Sequence, residues 1–202
     1  MHVLPLLIIL ILIIYWMVQI LQGNLPLLDH FMEQLFRDIV SLEPIFSMAR
    51  IITDLGSKMF MVPFVIVMLL VFFILFRTVI PSIIFAGGTL LTHGINILMK
   101  EIVQRERPFV WIEASAYGYS FPSGHAMISL VCYGLFAYFL SLKIKKASHK
   151  RLLYIFFSLL IFLIGFSRFI LNVHYPTDIV SGFLVGYLLL ISYIYIARKF
   201  NY

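Results

Sequence analysis

The stretch MFMVPFVIVMLLVFFILF occupies residues 59–76 and contains no charged side chain. A helix of this length crosses a hydrocarbon core of about 30 Å, and in lipid only a helix or a closed barrel satisfies its own backbone. Five more apolar runs of similar length occur in the chain. Together they predict six transmembrane helices: Val3–Leu21, Met59–Phe76, Val79–Met99, Ala126–Leu142, Leu152–Ile170 and Ile179–Ala197.

The composition agrees with a chain that lies in the bilayer. Of 202 residues, 62% are hydrophobic and 12% charged, whereas a soluble domain has about a quarter charged residues. The sequence therefore predicts an all-α polytopic membrane protein with a single domain over residues 1–202. The net charge of +6 does not indicate nucleic-acid binding, because no soluble module carries a basic stripe. Cys132 is the only cysteine, so the chain can form no internal disulfide.

The loop charges predict the orientation. All nine acidic residues fall on one side of the predicted topology. By the positive-inside rule the opposite side is cytoplasmic and includes both termini. The first span lacks a basic leader and a small-residue cleavage site, so we expect an uncleaved anchor. The charged residues of the cytoplasmic loops and tail are all basic: Arg77, Lys143, Lys145, Lys146, Lys150, Arg151, Arg198 and Lys199.

The loop between the first two spans contains a second kind of pattern. From Leu28 to Val40, apolar residues recur every three or four positions, and polar residues such as Asp29 take the other face. This pattern predicts an amphipathic helix on the membrane surface. A structural brace is the favoured interpretation, and a gate that admits lipid is the alternative.

Three segments on the predicted outer side contain residues suited to catalysis or anion binding. In the first, Lys100 and Arg107 are seven residues apart, so on a helix that extends from the third span and ends before Pro108 they share a face. A further cation, Arg168, lies within the apolar end of the fifth span. Basic side chains often snorkel at span ends. Positive charge is disfavoured on this side, however, which favours a role in anion binding.

The second segment, Pro122-Ser123-Gly124-His125, comes just before the fourth span. Serine is a good N-cap, glycine lets a ligand approach the backbone, and the free N–H groups of a helix start bind anions. The segment could hold phosphate. It could also be a capped helix start followed by an interfacial histidine.

The third segment places His174 and Asp178 four residues apart. At the start of a helix the carboxylate would reach one imidazole nitrogen and leave the other free to attack. A structural hydrogen bond, or a metal site with His125, would use the same residues. Metal is disfavoured because the nearby cations would repel a divalent ion but suit a phosphoryl group.

These residues resemble the three-part signature of the type 2 phosphatidic acid phosphatase family, and the short chain is similar to its membrane-bound bacterial members. Soluble vanadium haloperoxidases share the signature but not the six spans. The resemblance implies that His174 is the nucleophile, Asp178 orients it and His125 is the general acid. It also implies that no metal or cofactor is needed and that phosphate is bound by Lys100, Arg107, Ser123, Gly124 and Arg168.

The sequence therefore predicts a metal-independent enzyme that removes the terminal phosphate of a membrane lipid at the outer leaflet through a phosphohistidine. Undecaprenyl diphosphate is the first expected substrate, and phosphatidylglycerophosphate or phosphatidate the alternative. Lipid-to-lipid phosphotransfer and non-catalytic lipid transport are more remote. Uninterrupted spans with charge only at their ends disfavour transport. We expect Arg105 and Glu106 to form local surface ion pairs.

Overall fold

The computed structural model describes residues 3–32, 43–108 and 118–202, and all regular structure in these ranges is helical. Six helical segments are long and apolar enough to cross a membrane. The predicted all-α, six-span architecture is confirmed. The helices are α1 (Val3–Leu21), α2 (Glu43–Asp54), α3 (Lys58–Phe76), α4 (Ile80–Val103), α5 (Gly124–Lys143), α6 (Ala147–Ile170) and α7 (Pro176–Lys199).

Several helices run past the ends of the apolar runs. The fifth predicted span begins at Leu152, but α6 begins at Ala147 and includes polar residues in its first turn. Similarly, α4 continues to Val103, where Gln104 takes a left-handed conformation (φ 49°) and its N–H bonds the Lys100 carbonyl. Hydropathy marks the thickness of the hydrocarbon, whereas a helix ends where its backbone is capped.

Helix α2 was not predicted from the sequence. It is amphipathic, and its buried residues Ala49 and Thr53 lie on the side that packs against α6. A short turn then leads to Ser57, whose hydroxyl accepts a hydrogen bond from the Phe60 N–H at 3.4 Å and caps α3. A twelve-residue helix with mixed polarity is too short to register as a span, so hydropathy alone passes over it.

The predicted surface helix is described only in part. Residues 27–32 are helical, and the rest of the predicted stretch lies outside the described residues. Within this part, Phe31 is exposed, as expected for a lipid-facing side chain. Asp29 differs from the prediction. Its side chain is 1% exposed and points into the protein, so it does not belong to a polar surface.

Helix α5 lies at the centre of the bundle and packs against α4, α6 and α7. Its inward-facing residues Val131, Leu135 and Phe139 are fully buried. Phe72 of α3 is also fully buried and contacts the Phe139 ring at a centroid distance of 5.5 Å. Because α5 is held in this core, it also fixes the position of residues 122–125 at its start.

Glycines let α7 approach the first turns of α5. A Cβ on Gly182 would lie 2.7 Å from the Ser123 carbonyl oxygen, and one on Gly186 would lie 2.9 Å from that of Met127. Close packing is thus present at these two glycines, whereas Gly87 faces open space. The contact holds the start of α7 beside residues 122–125.

Candidate active site

His174 and Asp178 lie where α6 leads into α7. Asp178 is the third residue of α7, and its Oδ2 accepts a hydrogen bond from the Tyr175 N–H at 2.9 Å. The same oxygen lies 3.4 Å from Nδ1 of His174. The expected contact is therefore present, but not as two residues on one helix turn. His174 precedes α7, and Asp178 reaches back to it while capping the helix.

The contacts of His174 define its tautomer. Its Nε2 lies 3.2 Å from Nη1 of Arg107, and because a guanidinium can only donate, Nε2 holds the lone pair. The proton is then on Nδ1, towards Asp178. Burial lowers the pKa of His174 well below its ordinary value, and the charges of Arg107, Arg168 and Lys100 lower this pKa further, whereas a hydrogen bond to the Ser120 backbone raises it. His174 is a neutral imidazole whose Nε2 lone pair lies among cations.

Lys100 and Arg107 reach the same backbone carbonyl without sharing a helix. Since α4 ends at Val103, the predicted common helix face is wrong. The ammonium of Lys100 and Nη2 of Arg107 both donate to the Tyr119 carbonyl. Arg107 also donates to the carbonyls of Gly118 at 2.8 Å and Val173 at 2.7 Å. Burial lowers the pKa of Arg107, which Asp178 partly offsets.

Arg168 and Ser123 each present a buried polar atom that lacks a partner within the described ranges. Arg168 is 5% exposed and donates from Nη1 to Thr53 Oγ1 at 2.8 Å, but its Nε makes no hydrogen bond. Ser123 is fully buried, and its Oγ is also unpaired. Ser123 occupies the N-cap position of α5 without capping it, contrary to the prediction. Unpaired buried groups need an explanation, and a phosphate oxygen would satisfy both.

Asn96 of α4 supports the segment that contains Ser123. Its Nδ2 donates to the Pro122 carbonyl at 3.1 Å. A Cβ on Gly124 would lie 2.9 Å from Asn96 Oδ1, so glycine is needed here for packing. Gly124 was expected to allow ligand approach, and the sequence did not indicate a role for Asn96.

His125 is the second residue of α5 and is partly exposed. Electrostatic interactions connect it with Arg168, His174, Arg107 and Lys100. The turn after α2 packs against its ring, since a Cβ on Gly56 would lie 2.8 Å from His125 Cδ2. The three signature segments therefore meet at one end of the bundle, as the topology predicts.

Arg105 has a different role from the one expected. It is 8% exposed and makes ion pairs with Asp29 and Asp178, both at 2.7 Å. The prediction of a local surface ion pair is wrong for Arg105, whereas Glu106 is exposed. Arg105 lies on the predicted outer side, where basic residues are disfavoured, and this position could have indicated a buried role for it. Nothing in the sequence indicated Thr53, which lies 115 residues from Arg168.

The arrangement suits nucleophilic attack on phosphorus. A neutral imidazole presents its lone pair, a carboxylate stands behind it, and three cations surround the position that a phosphoryl group would take. Cationic clamps stabilise the charge that spreads over the oxygens of a transferring phosphoryl group. Within the described residues, no three His, Cys, Asp or Glu side chains are grouped to hold a metal ion.

Comparisons with known proteins give one family. The model of the PAP2 superfamily matches residues 81–202. Phosphatidylglycerophosphatase B of Bacillus subtilis (strain 168) is 34% identical over 142 residues, which are 68% of each chain.

Solved structures show the same fold. The crystal structure of a transmembrane PAP2-type phosphatidylglycerolphosphate phosphatase from Bacillus subtilis superposes with a TM-score of 0.80 at 24% identity, over 94% of this chain and 96% of that one. The structure of Aquifex aeolicus LpxE gives a TM-score of 0.58 at 25% identity, over 80% and 93%.

Proposed function

We propose that this chain, which belongs to the PAP2 superfamily and is a multi-pass membrane phosphatase, hydrolyses phosphatidylglycerophosphate through a phosphohistidine on His174. The observation that carries the proposal is the 3.2 Å contact between Arg107 Nη1 and His174 Nε2. This contact supports the proposal because it holds Nε2 beside a cation that a phosphate would bind. The incoming phosphate would take over the Arg107 hydrogen bond and free the Nε2 lone pair for attack. The name of the curated relative supports this substrate over undecaprenyl diphosphate, the one first expected from the sequence.

The reaction then has two steps. Nε2 of His174 attacks phosphorus, the ester P–O bond breaks, and His125 gives a proton to the leaving oxygen. Asp178 stabilises the positive charge that develops on the imidazole ring. In the second step water attacks phosphorus, the P–N bond breaks, His125 takes a proton from the water, and inorganic phosphate leaves.

The phosphate-binding groups supply the charge that a metal ion gives to many other phosphatases. Lys100, Arg107 and Arg168 provide three cations, and Ser123 Oγ and Arg168 Nε provide unpaired donors. The free N–H groups of the first turn of α5, including that of Gly124, add backbone donors. We expect hydrolysis that needs no divalent ion.

Phosphate release from purified protein tests the substrate and the metal independence together. Phosphatidylglycerophosphate, phosphatidate and undecaprenyl diphosphate are compared in excess EDTA. We expect release with all metal chelated, fastest from phosphatidylglycerophosphate, and inhibition by vanadate as a phosphoryl mimic.

The same assay has three contradicting outcomes. No release from any lipid would contradict the lipid phosphatase, and a strict magnesium requirement would contradict the metal-free site. Faster release from undecaprenyl diphosphate would reverse the order of substrates. An arm with labelled substrate and an acceptor lipid separates hydrolysis from phosphotransfer, because only transfer labels the acceptor.

We also propose that the catalytic end faces the outside of the cell membrane, with both termini in the cytoplasm. The basic segment at residues 143–151 supports this orientation. In a Cys132→Ala background, Asn24→Cys should react with a membrane-impermeant thiol reagent in intact cells, and Ser148→Cys should react only after lysis. Both positions are exposed. The reverse pattern would place the active site at the inner leaflet.

A further inference from the structure

A second group of buried charges lies behind the active site. Asp29, Arg105, Thr177 and Asp178 form a connected network in which no side chain is more than 8% exposed. Arg105 donates from Nη1 to Asp178 Oδ1 and from Nη2 to Asp29 Oδ2, each at 2.7 Å. The reaction outlined above uses only Asp178 of these residues. The other three need a separate explanation.

Asp29 is held by three hydrogen bonds with little freedom. Its Oδ1 accepts from the Thr177 N–H at 2.8 Å, and its Oδ2 accepts from Thr177 Oγ1 and Arg105 Nη2, each at 2.7 Å. The Thr177 N–H belongs to the first turn of α7, where backbone donors lack helical partners. The residue thus connects the segment after α1 with the helix that carries Asp178.

Arg105 is fixed on its other side as well. The Tyr175 ring stacks on the guanidinium at 3.8 Å, and Thr177 Oγ1 accepts a bond from Nη1 at 2.9 Å. A guanidinium does not lose its proton in proteins, so its charge is constant. One fixed cation is therefore shared between two buried carboxylates.

The charge balance shows what Asp29 contributes. Arg105 and Asp178 alone would form a neutral pair, and little negative potential would remain at His174. With Asp29, the two carboxylates and one guanidinium carry one net negative charge. Attack by Nε2 makes the His174 ring cationic, and negative potential behind the ring stabilises that charge.

We propose that Asp29 is a positioning residue for the phosphatase reaction: it balances the charge of Arg105 and so leaves the negative charge of Asp178 directed towards His174. This rests on the proposed function, since it concerns the step in which His174 is phosphorylated. Both carboxylate oxygens of Asp29 bond Thr177 and Arg105, so we expect its effect to fall on the chemical step and not on substrate binding. A residue that only caps α7 would instead change stability.

Single-turnover phosphorylation of His174 tests the proposal. Asp29→Asn keeps the size and removes the charge, and we expect phosphorylation to slow by about 10- to 100-fold, as for outer-shell partners at other catalytic sites, with KM little changed. Glu101→Gln is the matched control, because it removes an exposed carboxylate near Lys100 and outside the network. It should match the wild-type rate.

The double variant Asp29→Asn/Arg105→Gln separates charge from structure. It has the same net charge behind His174 as the wild type, so it should phosphorylate faster than Asp29→Asn alone. A purely structural network predicts the opposite, because the double variant loses more bonds. Asp29→Glu, which keeps the charge, should also be faster than Asp29→Asn. A double variant slower than Asp29→Asn would overturn the proposal.

An activity-independent readout distinguishes this proposal from the proposed function. In ¹⁵N NMR spectra of histidine-labelled protein without substrate, Asp29→Asn should shift the His174 Nδ1 resonance, and Glu101→Gln should not. An unchanged resonance would overturn the role of Asp29 even in an active enzyme. A wild-type chain that hydrolyses no lipid would contradict the proposed function, and the NMR comparison would still decide the role of Asp29.

Discussion

His174→Ala should abolish phosphate release, with a loss of more than about 10⁴-fold, because the variant lacks the atom that we propose attacks phosphorus. Lys100, Arg107 and Arg168 remain in place, so the variant should still bind lipid phosphate. Rapid quenching of the wild type with ³²P-labelled substrate should trap an acid-labile, base-stable phosphohistidine. His174→Ala should give no label.

His149→Ala is the matched control for this experiment. His149 is exposed near the start of α6, at the opposite end of the bundle. It should keep the wild-type rate and the wild-type labelling. Turnover retained by His174→Ala, or label found on another residue, would refute the assignment of the nucleophile.

His125→Gln should slow phosphatidate hydrolysis much more than undecaprenyl diphosphate hydrolysis. A general acid contributes about 10²- to 10⁴-fold, and its contribution grows with the basicity of the oxygen that it protonates. Phosphatidate expels an alkoxide, whereas the diphosphate expels a phosphate that leaves readily. Glutamine approximates the size of histidine against Gly56, where the packing is tight. Single-turnover rates on both substrates measure the difference.

Equal losses on the two substrates would show that His125 positions phosphate and is not the acid. His174→Ala provides the comparison, because removal of the nucleophile should affect both substrates alike. The ratio of the two losses, and not either loss alone, decides the role of His125.

Much of the fold was predictable because it depends on short-range properties of the sequence. Uncharged runs such as residues 59–76 can only be spans, and the alternation of spans places the ends of three of them on one side. Segments at those ends must lie near each other in a bundle this small. For this reason the amino-acid sequence alone was enough to group Lys100, His125 and His174.

The remaining features depend on contacts between distant parts of the chain. Arg105 pairs with Asp29, 76 residues away, and no local pattern indicates that partner. Helix α4 ends at the left-handed turn at Gln104, so Lys100 and Arg107 do not share a helix face as their spacing predicted. They nevertheless lie at the same site, as expected. Helix α2 was missed because its twelve residues are too few to span a membrane.

The backbone contacts of Lys100 and Arg107 bear on how tightly the enzyme can hold its product. Both cations already bind the carbonyls of residues 118–120, so an arriving phosphate exchanges existing hydrogen bonds for stronger ones. The net gain is only the difference between two such bonds, each worth about 1 to 3 kcal/mol. Free phosphate, without a lipid chain to add binding energy, should therefore be a weak inhibitor that leaves the site readily after each turnover.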